Sequence, residues 1–433
     1  MATDVDVQYF SHLNGLILGN NWGDLIRLLD KALVTGVDFT QITAASIDAQ
    51  GDVHITLYAA HNAMLFQVVE LSGFTPASLN QKYRIKGVPS ATELILKPHA
   101  AIVETNITTV GAGKLASLGY EIIFRDTNDV KRVYRAKNPT AQHPFIRVDE
   151  SLTSPDGTTG VYTSTYAKYA MVGLLEHMEH IDDYEKPGVL QLPFDPADPA
   201  KNWKITGTST GCVRGWSRWY WARRGSISAN SGDQVDSLSP SNGSRDFLIV
   251  GNSDYFLGLK GHISADTSPY LFGCGLYDSS LDNSLVPNWF LMSTLTQNAA
   301  NAGILFNAGT ISGSIPLLTN LVSSSNFFVC NYNLLSKLSQ HEAARGILPN
   351  NESGFSGLYT ANDVNALQIP ILSNSKRLLG TLPSICYMGE VNTKTVLTPV
   401  LSGNSMYLAH PAYVAVSGNT RSGGVYFYIG ELS

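Results

Sequence analysis

The sequence is poor in charge and in long apolar runs, and each scarcity excludes a class of protein. Only 15% of the 433 residues are charged, and their balance gives a net charge of −6. This composition supplies no basic field for phosphate groups, so nucleic acid is not an expected partner. No run of about 18 apolar residues occurs, and the N-terminus lacks the basic and apolar regions of a secretory signal. We therefore expect a protein made in the cytoplasm without a membrane anchor.

Cysteine is also scarce, and its spacing excludes two familiar roles. The four cysteines are Cys212, Cys274, Cys330 and Cys386. They lie far apart, with neither a CxxC pair nor the Cys/His spacing of a metal site. Because free cysteine is among the most buried residue types, we interpret all four as small buried apolar side chains. No cofactor is predicted.

Short apolar runs punctuated by Gly, Pro, Asn and Ser make up most of the chain. One amphipathic helix is predicted at residues 24–35, with Asp24 as a possible N-cap. Five β-like runs follow within residues 41–96, three more within 119–149, and others recur to the C-terminus. The predicted class is mainly β, with β-sandwich or barrel-like domains and a few short helices.

This pattern predicts three parts. Residues 1–36 form an N-terminal segment that packs on the main domain, and residues 37–100 form a small inserted β module. Residues 101–433 form the main β domain or domains, with a possible subdivision near 187–245.

Three stretches are harder to interpret. Residues 166–183 fit either a helix or a strand. In the second stretch, SSSNFFVC is typical of a strand, whereas NYNLLSKLSQHEAARG, residues 331–346, is typical of a helix. Residues 226–244 are polar enough for a long surface loop.

Three motifs resemble catalytic or ligand-binding signatures. Residues 207–211 match G-x-S-x-G, but their flanks lack the amphipathic helix that would follow a nucleophilic Ser209, so a turn between two strands is the simpler interpretation. The run of residues 111–114 fails the phosphate-loop pattern. His177 and His180 with Asp182 have metal-ligand chemistry, yet such a cluster is more often a solvated polar face. No catalytic or metal-binding residue is predicted, and the chain is not expected to be an enzyme.

The most basic stretch interleaves arginines with aromatics. Arginine and tryptophan together are typical of protein interfaces, and aromatic side chains can also stack on sugars or bases. Tryptophan on both faces of a strand indicates burial on both faces. The alternatives are core plus intersubunit contact, core alone, and ligand binding. The candidate interface residues are Trp216, Arg218, Trp219, Tyr220, Trp221, Arg223 and Arg224.

Several stretches resemble proteins of tailed bacteriophages. Residues 41–96, with VHITLYAAHNAMLFQVVELSGFTPASLNQKYRIKGVPSATELIL as their main part, resemble a small Ig-like β module common in the virion proteins of tailed phages. Four later stretches are similar, in the same order, to a family of uncharacterised structural proteins of phages and prophages. They are VYRAKNPTAQHPFIRVDES (133–151), YAMVGLLEHMEHIDD (169–183), RDFLIVGNSDYFLGLKG (245–261) and RLLGTLP (377–383).

The resemblance implies a structural component of the virion, in the tail or baseplate region, with no catalytic residues. Its partners would be other virion proteins and further copies of itself, in threefold or sixfold symmetry, after assembly in the host cytoplasm. A charge-poor surface suits large intersubunit contacts. Two alternatives stay open: a neck or capsid-surface protein that uses the small module as a decoration domain, and a receptor-binding or glycan-binding tail protein.

Overall fold

The computed structural model describes residues 5–186, 188–224, 236–260, 270–281, 286–295, 316–317, 326–330, 341–348, 364–388, 394–416 and 419–432. Within them the protein is mainly β, as predicted, with one short α-helix. No helix of this described part is long and apolar enough to cross a membrane.

The helix α1 (Asp24–Leu29) continues as a π-helical turn, Asp30–Thr35, and 3-10 turns occur at His12–Asn14, Ala77–Leu79 and Ser209–Gly211. The first strands in chain order are β1 (Gln8–Ser11), β2 (Val37–Asp38), β3 (Ile42–Ile47), β4 (Val53–Leu57), β5 (Val68–Ser72), β6 (Lys82–Ser90), β7 (Glu93–Pro98), β8 (Ala112–Leu115), β9 (Tyr120–Arg125), β10 (Lys131–Ala136), β11 (Phe145–Asp149), β12 (Gly160–Val161), β13 (Lys168–Leu175), β14 (Gln191–Leu192), β15 (Ile205–Thr208), β16 (Val213–Arg214) and β17 (Ser217–Ala222).

The later strands are β18 (Phe247–Gly251), β19 (Tyr255–Lys260), β20 (Tyr270–Leu276), β21 (Asp278–Ser279), β22 (Trp289–Met292), β23 (Thr294–Leu295), β24 (Phe327–Cys330), β25 (His341–Gly346), β26 (Leu367–Ser373), β27 (Leu378–Tyr387), β28 (Thr398–Ser402), β29 (Ser405–Val416) and β30 (Asn419–Glu431).

The predicted helix at residues 24–35 is confirmed, because its apolar side chains form one buried stripe. The stripe consists of Leu25, Leu28, Leu29, Ala32 and Leu33. Gly36 ends the helical segment at φ +73°, where an added Cβ would lie 2.1 Å from the carbonyl oxygen of Leu115. Only glycine fits both the left-handed backbone and this close approach.

The start of the helix differs from the prediction that Asp24 is its N-cap. The cap residue is Gly23, and no side chain of its own caps the helix. The carboxylate of Glu150, distant in sequence, accepts hydrogen bonds from the backbone N–H groups of Gly23 and Ile26. A carboxylate brought in by tertiary packing therefore satisfies donors that a local cap normally satisfies.

The small β module is a seven-stranded antiparallel sheet in the order β2-β8-β5-β6-β7-β4-β3. All five runs predicted within residues 41–96 are strands, β3 to β7. The sheet also takes in β8, which pairs with β5 and β2, so this sheet continues past residue 100, where the module was predicted to end.

Two buried polar side chains attach this sheet to its surroundings. The amide of Gln8, on β1, donates to the carbonyl oxygens of Val68 and Ala116, both at 2.8 Å. The guanidinium of Arg84, on β6, donates to the carbonyl oxygens of Val7 at 3.0 Å and of Ile429 at 2.9 Å. Since buried polar groups need such partners, these bonds fix the module against β1 and β30.

A second sheet has the order β23-β17-β13-β11-β10-β9, with β14 also paired to β13. It contains the three strands predicted within residues 119–149. Within the ambiguous stretch 166–183, the residues Lys168–Leu175 form strand β13. All eight residues of this strand are buried. Because neighbouring strands and the core cover both of its faces, β13 lacks the alternation that would have marked it as a strand in the sequence.

The largest sheet has thirteen strands, in the order β1-β18-β19-β20-β22-β24-β25-β26-β27-β30-β29-β28, with β21 beside β27. Its strand β24 confirms the strand predicted at NFFVC. The helix predicted at 331–346 is wrong at His341–Gly346, which is strand β25, and its residues 331–340 lie outside the described part. Most of the loop predicted at 226–244 also lies outside it.

The side chains of the large sheet alternate between two buried layers. On β19, Phe256 packs into a core shared with α1, the small module and the second sheet, whereas Tyr255 and Leu257 pack into a separate core. Period-2 alternation with both faces apolar makes this sheet a central layer. The first core joins all three parts predicted from the sequence.

Candidate functional site

The predicted interface residues lie on and beside β17, and the structure buries all but Arg224, which is exposed. The six buried residues are Trp216, Arg218, Trp219, Tyr220, Trp221 and Arg223. Their packing within one chain matches the core-alone alternative. Because a buried side chain offers no surface to a partner, the interface prediction is corrected for these six and remains for Arg224 alone.

A buried carboxylate that the sequence did not single out organises this arginine-rich core. Asp236 accepts a hydrogen bond from Arg223 Nε at 2.5 Å and one from the Tyr220 hydroxyl at 2.8 Å. Arg218 Nη1 lies 3.5 Å from Asp236 Oδ2, the oxygen that also accepts from Tyr220. One acidic group thus faces two buried guanidinium groups.

Aromatic faces also contact the buried arginines of this core. The guanidinium of Arg218 lies 4.4 Å from the ring centre of Tyr169, and that of Arg214 lies 4.5 Å from the same ring. Such cation–π contacts strengthen when water is excluded. The alternating arginine and aromatic side chains therefore pack inside one core and do not form an exposed ligand-binding surface.

The G-x-S-x-G motif forms an exposed turn, as the simpler interpretation predicted. Ser209 follows β15 at φ +54° and begins a three-residue 3-10 turn rather than a long helix. Its hydroxyl lies 3.3 Å from the hydroxyl of Tyr166. A nucleophilic serine needs a general base within hydrogen-bond reach, and no histidine or carboxylate among the described residues is hydrogen-bonded to Ser209.

The histidine-rich segment is a charged surface already paired with cations. Asp182 accepts hydrogen bonds from Lys131 at 2.8 Å and from Arg147 at 2.5 Å. Asp183 pairs with Lys186 at 3.0 Å. Among the described residues no three His, Cys, Asp or Glu side chains form a group that could hold a metal ion.

All four cysteines are free thiols. The prediction that they are small buried side chains is confirmed for three of them. Cys212, Cys274 and Cys330 are buried, whereas Cys386 is half-buried. Burial raises the pKa of the Cys386 thiol to about 11. At neutral pH these sulfur atoms carry protons and are poor nucleophiles.

The described surface holds a cleft of about 720 Å³ in the large sheet, which we call the acidic cleft. It lies between several elements of this sheet: the turn between β18 and β19, the ends of β20 and β22, the middle of β27, and the paired strands β29 and β30. The acidic side chains that line it are Asp254, Asp278 and Glu431. Among the described residues no Lys, Arg or His lines it.

An irregularity in strand pairing shapes one wall of the acidic cleft. Gln368 of β26 pairs with Cys386 of β27, but the next pair along is Pro370 with Thr381. On the side of β26, residues 382–385 therefore lie opposite residue 369 alone and form a bulge in β27, and all four of them line the cleft. Bulges of this kind redirect side chains and are frequent beside binding sites.

The bulge holds a residue in an uncommon backbone conformation. Ser384 has φ +53°, which is rare for a non-glycine residue, and its hydroxyl accepts a short hydrogen bond from the hydroxyl of Tyr255. Backbone outliers of this type often mark functional sites, because the surrounding structure must enforce them.

Two hydrogen-bond acceptors of the cleft have no protein donor among the described residues. The Asn288 side chain is 4% exposed, and its Nδ2 donates to the carbonyl oxygen of Tyr277 at 2.6 Å. That bond fixes which end of the amide is the donor and leaves the buried Oδ1 unpartnered. The exposed carboxylate of Asp278 has no hydrogen bond or ion pair either, and partial burial and the nearby Asp254 charge raise its pKa.

Tyrosine rings form another wall of the acidic cleft. Tyr407 and Tyr428 pair across strands β29 and β30, with ring centres 5.6 Å apart. The hydroxyl of Tyr428 donates to Glu431 at 2.7 Å, as does the hydroxyl of Ser405. Both tyrosines are half-buried, so part of each ring faces solvent.

Sequence reasoning missed the acidic cleft, because its residues are spread from Val7 to Glu431 with no local motif. The only sequence signals are the turn-forming NSD triplet before β19 and the tyrosines of the C-terminal strands. No family model and no curated protein sequence matches this chain.

Proposed function

We propose that this chain is a structural component of a tailed-bacteriophage particle, in the tail or baseplate region, and that it acts by symmetric assembly rather than by catalysis. The neck or the capsid surface is the alternative location. The observation that carries the proposal is that three phage-like stretches of the sequence contain strands that lie side by side in a sheet.

Three of the stretches that resemble phage virion proteins contain strands that are neighbours in one sheet. The stretch within residues 41–96 supplies five strands of the small sheet. Residues 133–151 contain most of β10 and all of β11, which pair as a hairpin, and residues 245–261 contain the hairpin of β18 and β19. A resemblance that follows structural units supports common architecture more strongly than scattered similar residues would.

The exposed apolar side chains support a contact surface on the N-terminal part of the chain. Among the described residues the three most exposed large apolar side chains are Val103 at 88%, Tyr58 at 78% and Ile17 at 71%. All three lie before residue 116. Exposed apolar side chains gain stability when a partner covers them, which favours contacts made by this part.

Electron microscopy of purified phage particles tests the assignment directly. The chain should fit into density of the tail or baseplate at threefold or sixfold symmetric positions. Mass spectrometry of the same particles should detect it in stoichiometric amounts. Particles that contain none of this chain would contradict the proposal.

A matched pair of variants tests the contact surface. Tyr58→Asp places a charge on the N-terminal part, whereas Leu401→Asp places one on β28, where Leu401 is 50% exposed. Both variants should stay folded, because both side chains are exposed. Tyr58→Asp should lower incorporation into particles, and Leu401→Asp should leave it unchanged. Equal incorporation of the two variants would exclude Tyr58 from the contact.

A further inference from the structure

We propose that the acidic cleft binds a neutral carbohydrate. This inference goes beyond assembly and does not rest on it, since it follows from the cleft's own chemistry. Ligand pockets in proteins have volumes of about 300 to 1,000 Å³ with a few placed polar groups. The cleft, at about 720 Å³, has room for a disaccharide.

The unpartnered acceptors define what the ligand must donate. Asn288 Oδ1 is buried, lines the cleft and receives no hydrogen bond from any described residue. A buried acceptor left without a donor is costly, so a ligand that supplies one gains affinity. Asp278 adds a second open acceptor at the exposed mouth. Sugar hydroxyl groups are donors that can reach several acceptors from one ring.

The charge of the cleft excludes anionic ligands. Three carboxylates line it, and no cationic side chain among the described residues lines it. Of these three carboxylates, Asp254 is the one with a histidine partner among the described residues: Nε2 of His143 lies 2.9 Å from its Oδ1. A phosphate or a uronic acid would meet uncompensated negative charge at short range, whereas a neutral sugar would not.

The tyrosine wall distinguishes a sugar from a simple cation. Tyr407 and Tyr428 present half-buried rings with polar hydroxyl ends, which suit an amphipathic ligand with an apolar face and polar edges. A metal ion would instead need several oxygen ligands converging on one point. Among the described residues no such group of carboxylates and histidines occurs. The geometry therefore favours a sugar.

Isothermal titration calorimetry of the full chain tests the proposal, because no tryptophan among the described residues lines the cleft to report binding by fluorescence. The probes are N,N′-diacetylchitobiose and lactose as neutral disaccharides, glucuronic acid as an anionic sugar, and a tri-lysine peptide as a cationic ligand. Saturable binding of a neutral disaccharide without binding of glucuronic acid is the expected result. Binding of the peptide alone, or of no probe at millimolar concentration, would overturn the proposal.

Variants then locate the site. Asp278→Ala and Tyr407→Ala should each weaken disaccharide binding about tenfold or more, since each removes a direct contact. The matched controls are Glu121→Ala and Tyr58→Ala, at exposed positions outside the cleft, and they should leave affinity unchanged. Undiminished binding in both cleft variants would place the sugar elsewhere and overturn the inference. Particle incorporation measures the assembly role separately, so either idea can fail alone.

Discussion

Asp236 accepts a hydrogen bond from Arg223 Nε at 2.5 Å inside the protein, where both side chains are at least nine-tenths buried. The same carboxylate faces Arg218 and the Tyr220 hydroxyl. Two arginines of the most basic stretch of the sequence therefore meet a carboxylate of their own chain. The predicted contact surface at residues 216–223 is therefore part of a buried core.

Asp236→Asn should strongly destabilise the fold. The amide keeps the shape but removes the negative charge that faces the buried guanidinium groups of Arg218 and Arg223. Loss of one partner of a buried ion pair typically costs about 3–5 kcal/mol. Urea unfolding followed by circular dichroism measures this loss. The control Asp246→Asn removes a carboxylate that is 62% exposed beside His12, and its effect should stay below about 1 kcal/mol. Equal losses in the two variants would contradict the counter-ion role.

Trp219→Ala should lower the free energy of unfolding by about 3–5 kcal/mol, the usual loss for a buried aromatic residue. Trp219 is fully buried, its indole N–H donates to the carbonyl oxygen of Met292 at 2.8 Å, and its ring packs on Phe256 and Phe272. Thermal unfolding provides the measurement. Tyr58→Ala, at an exposed site, serves as the control. A Trp219→Ala protein as stable as the control would restore the interface reading.

Glu150 should make stability fall as the pH rises. Burial raises the pKa of its carboxyl from 4.5 to about 7, against the opposing effect of the N–H groups of Gly23 and Ile26. The unfolded chain releases the proton near pH 4.5 and the folded chain near pH 7. The contribution of Glu150 to the free energy of unfolding is therefore fully present below pH 4.5. It decreases by about 3 kcal/mol as the pH rises from 4.5 to 7.

Urea unfolding at several pH values tests this dependence. Glu150→Gln should remove the decrease between pH 4.5 and 7, since glutamine does not titrate and still offers an acceptor to the helix N–H groups. A wild-type curve and a variant curve with the same slope in that window would show that Glu150 ionises normally.

His341 should have the opposite dependence. Burial lowers the pKa of its imidazole from 6.5 to about 4, and its Nδ1 accepts a hydrogen bond from the backbone N–H of Phe194 at 3.1 Å. The unfolded chain takes up a proton near pH 6.5, whereas the folded chain resists until about pH 4. Stability from this group is present above pH 6.5 and is lost as the pH falls towards 4.

His341→Gln should reduce the acid-induced loss of stability by about 3 kcal/mol between pH 6.5 and 4. Fluorescence-detected urea unfolding at pH 4.5 and pH 7 measures it. Part of the loss should persist, because burial also lowers the pKa of His410 to about 4. If the variant retains the full acid sensitivity, His341 is not a source of it.

Much of the fold could be predicted from the sequence. Alternating apolar runs marked β3 to β7 and the hairpin of β18 and β19, and helical spacing marked residues 24–35. The failures have one physical cause. At β25 the composition of residues 341–346 favours a helix, but pairing with β24 and β26 overrides this local preference. At the helix start, Glu150 replaces the expected local cap.

The sequence by itself determined the mainly β class, the helix within residues 24–35 and the burial of most cysteines, because these depend on local periodicity and residue type. Only the tertiary structure decided which polar groups meet. Asp236 faces Arg223, Glu150 caps a helix more than a hundred residues away, and the acidic cleft joins residues from both ends of the chain. Such contacts depend on strand order and register across long separations, and no local pattern in the chain encodes them.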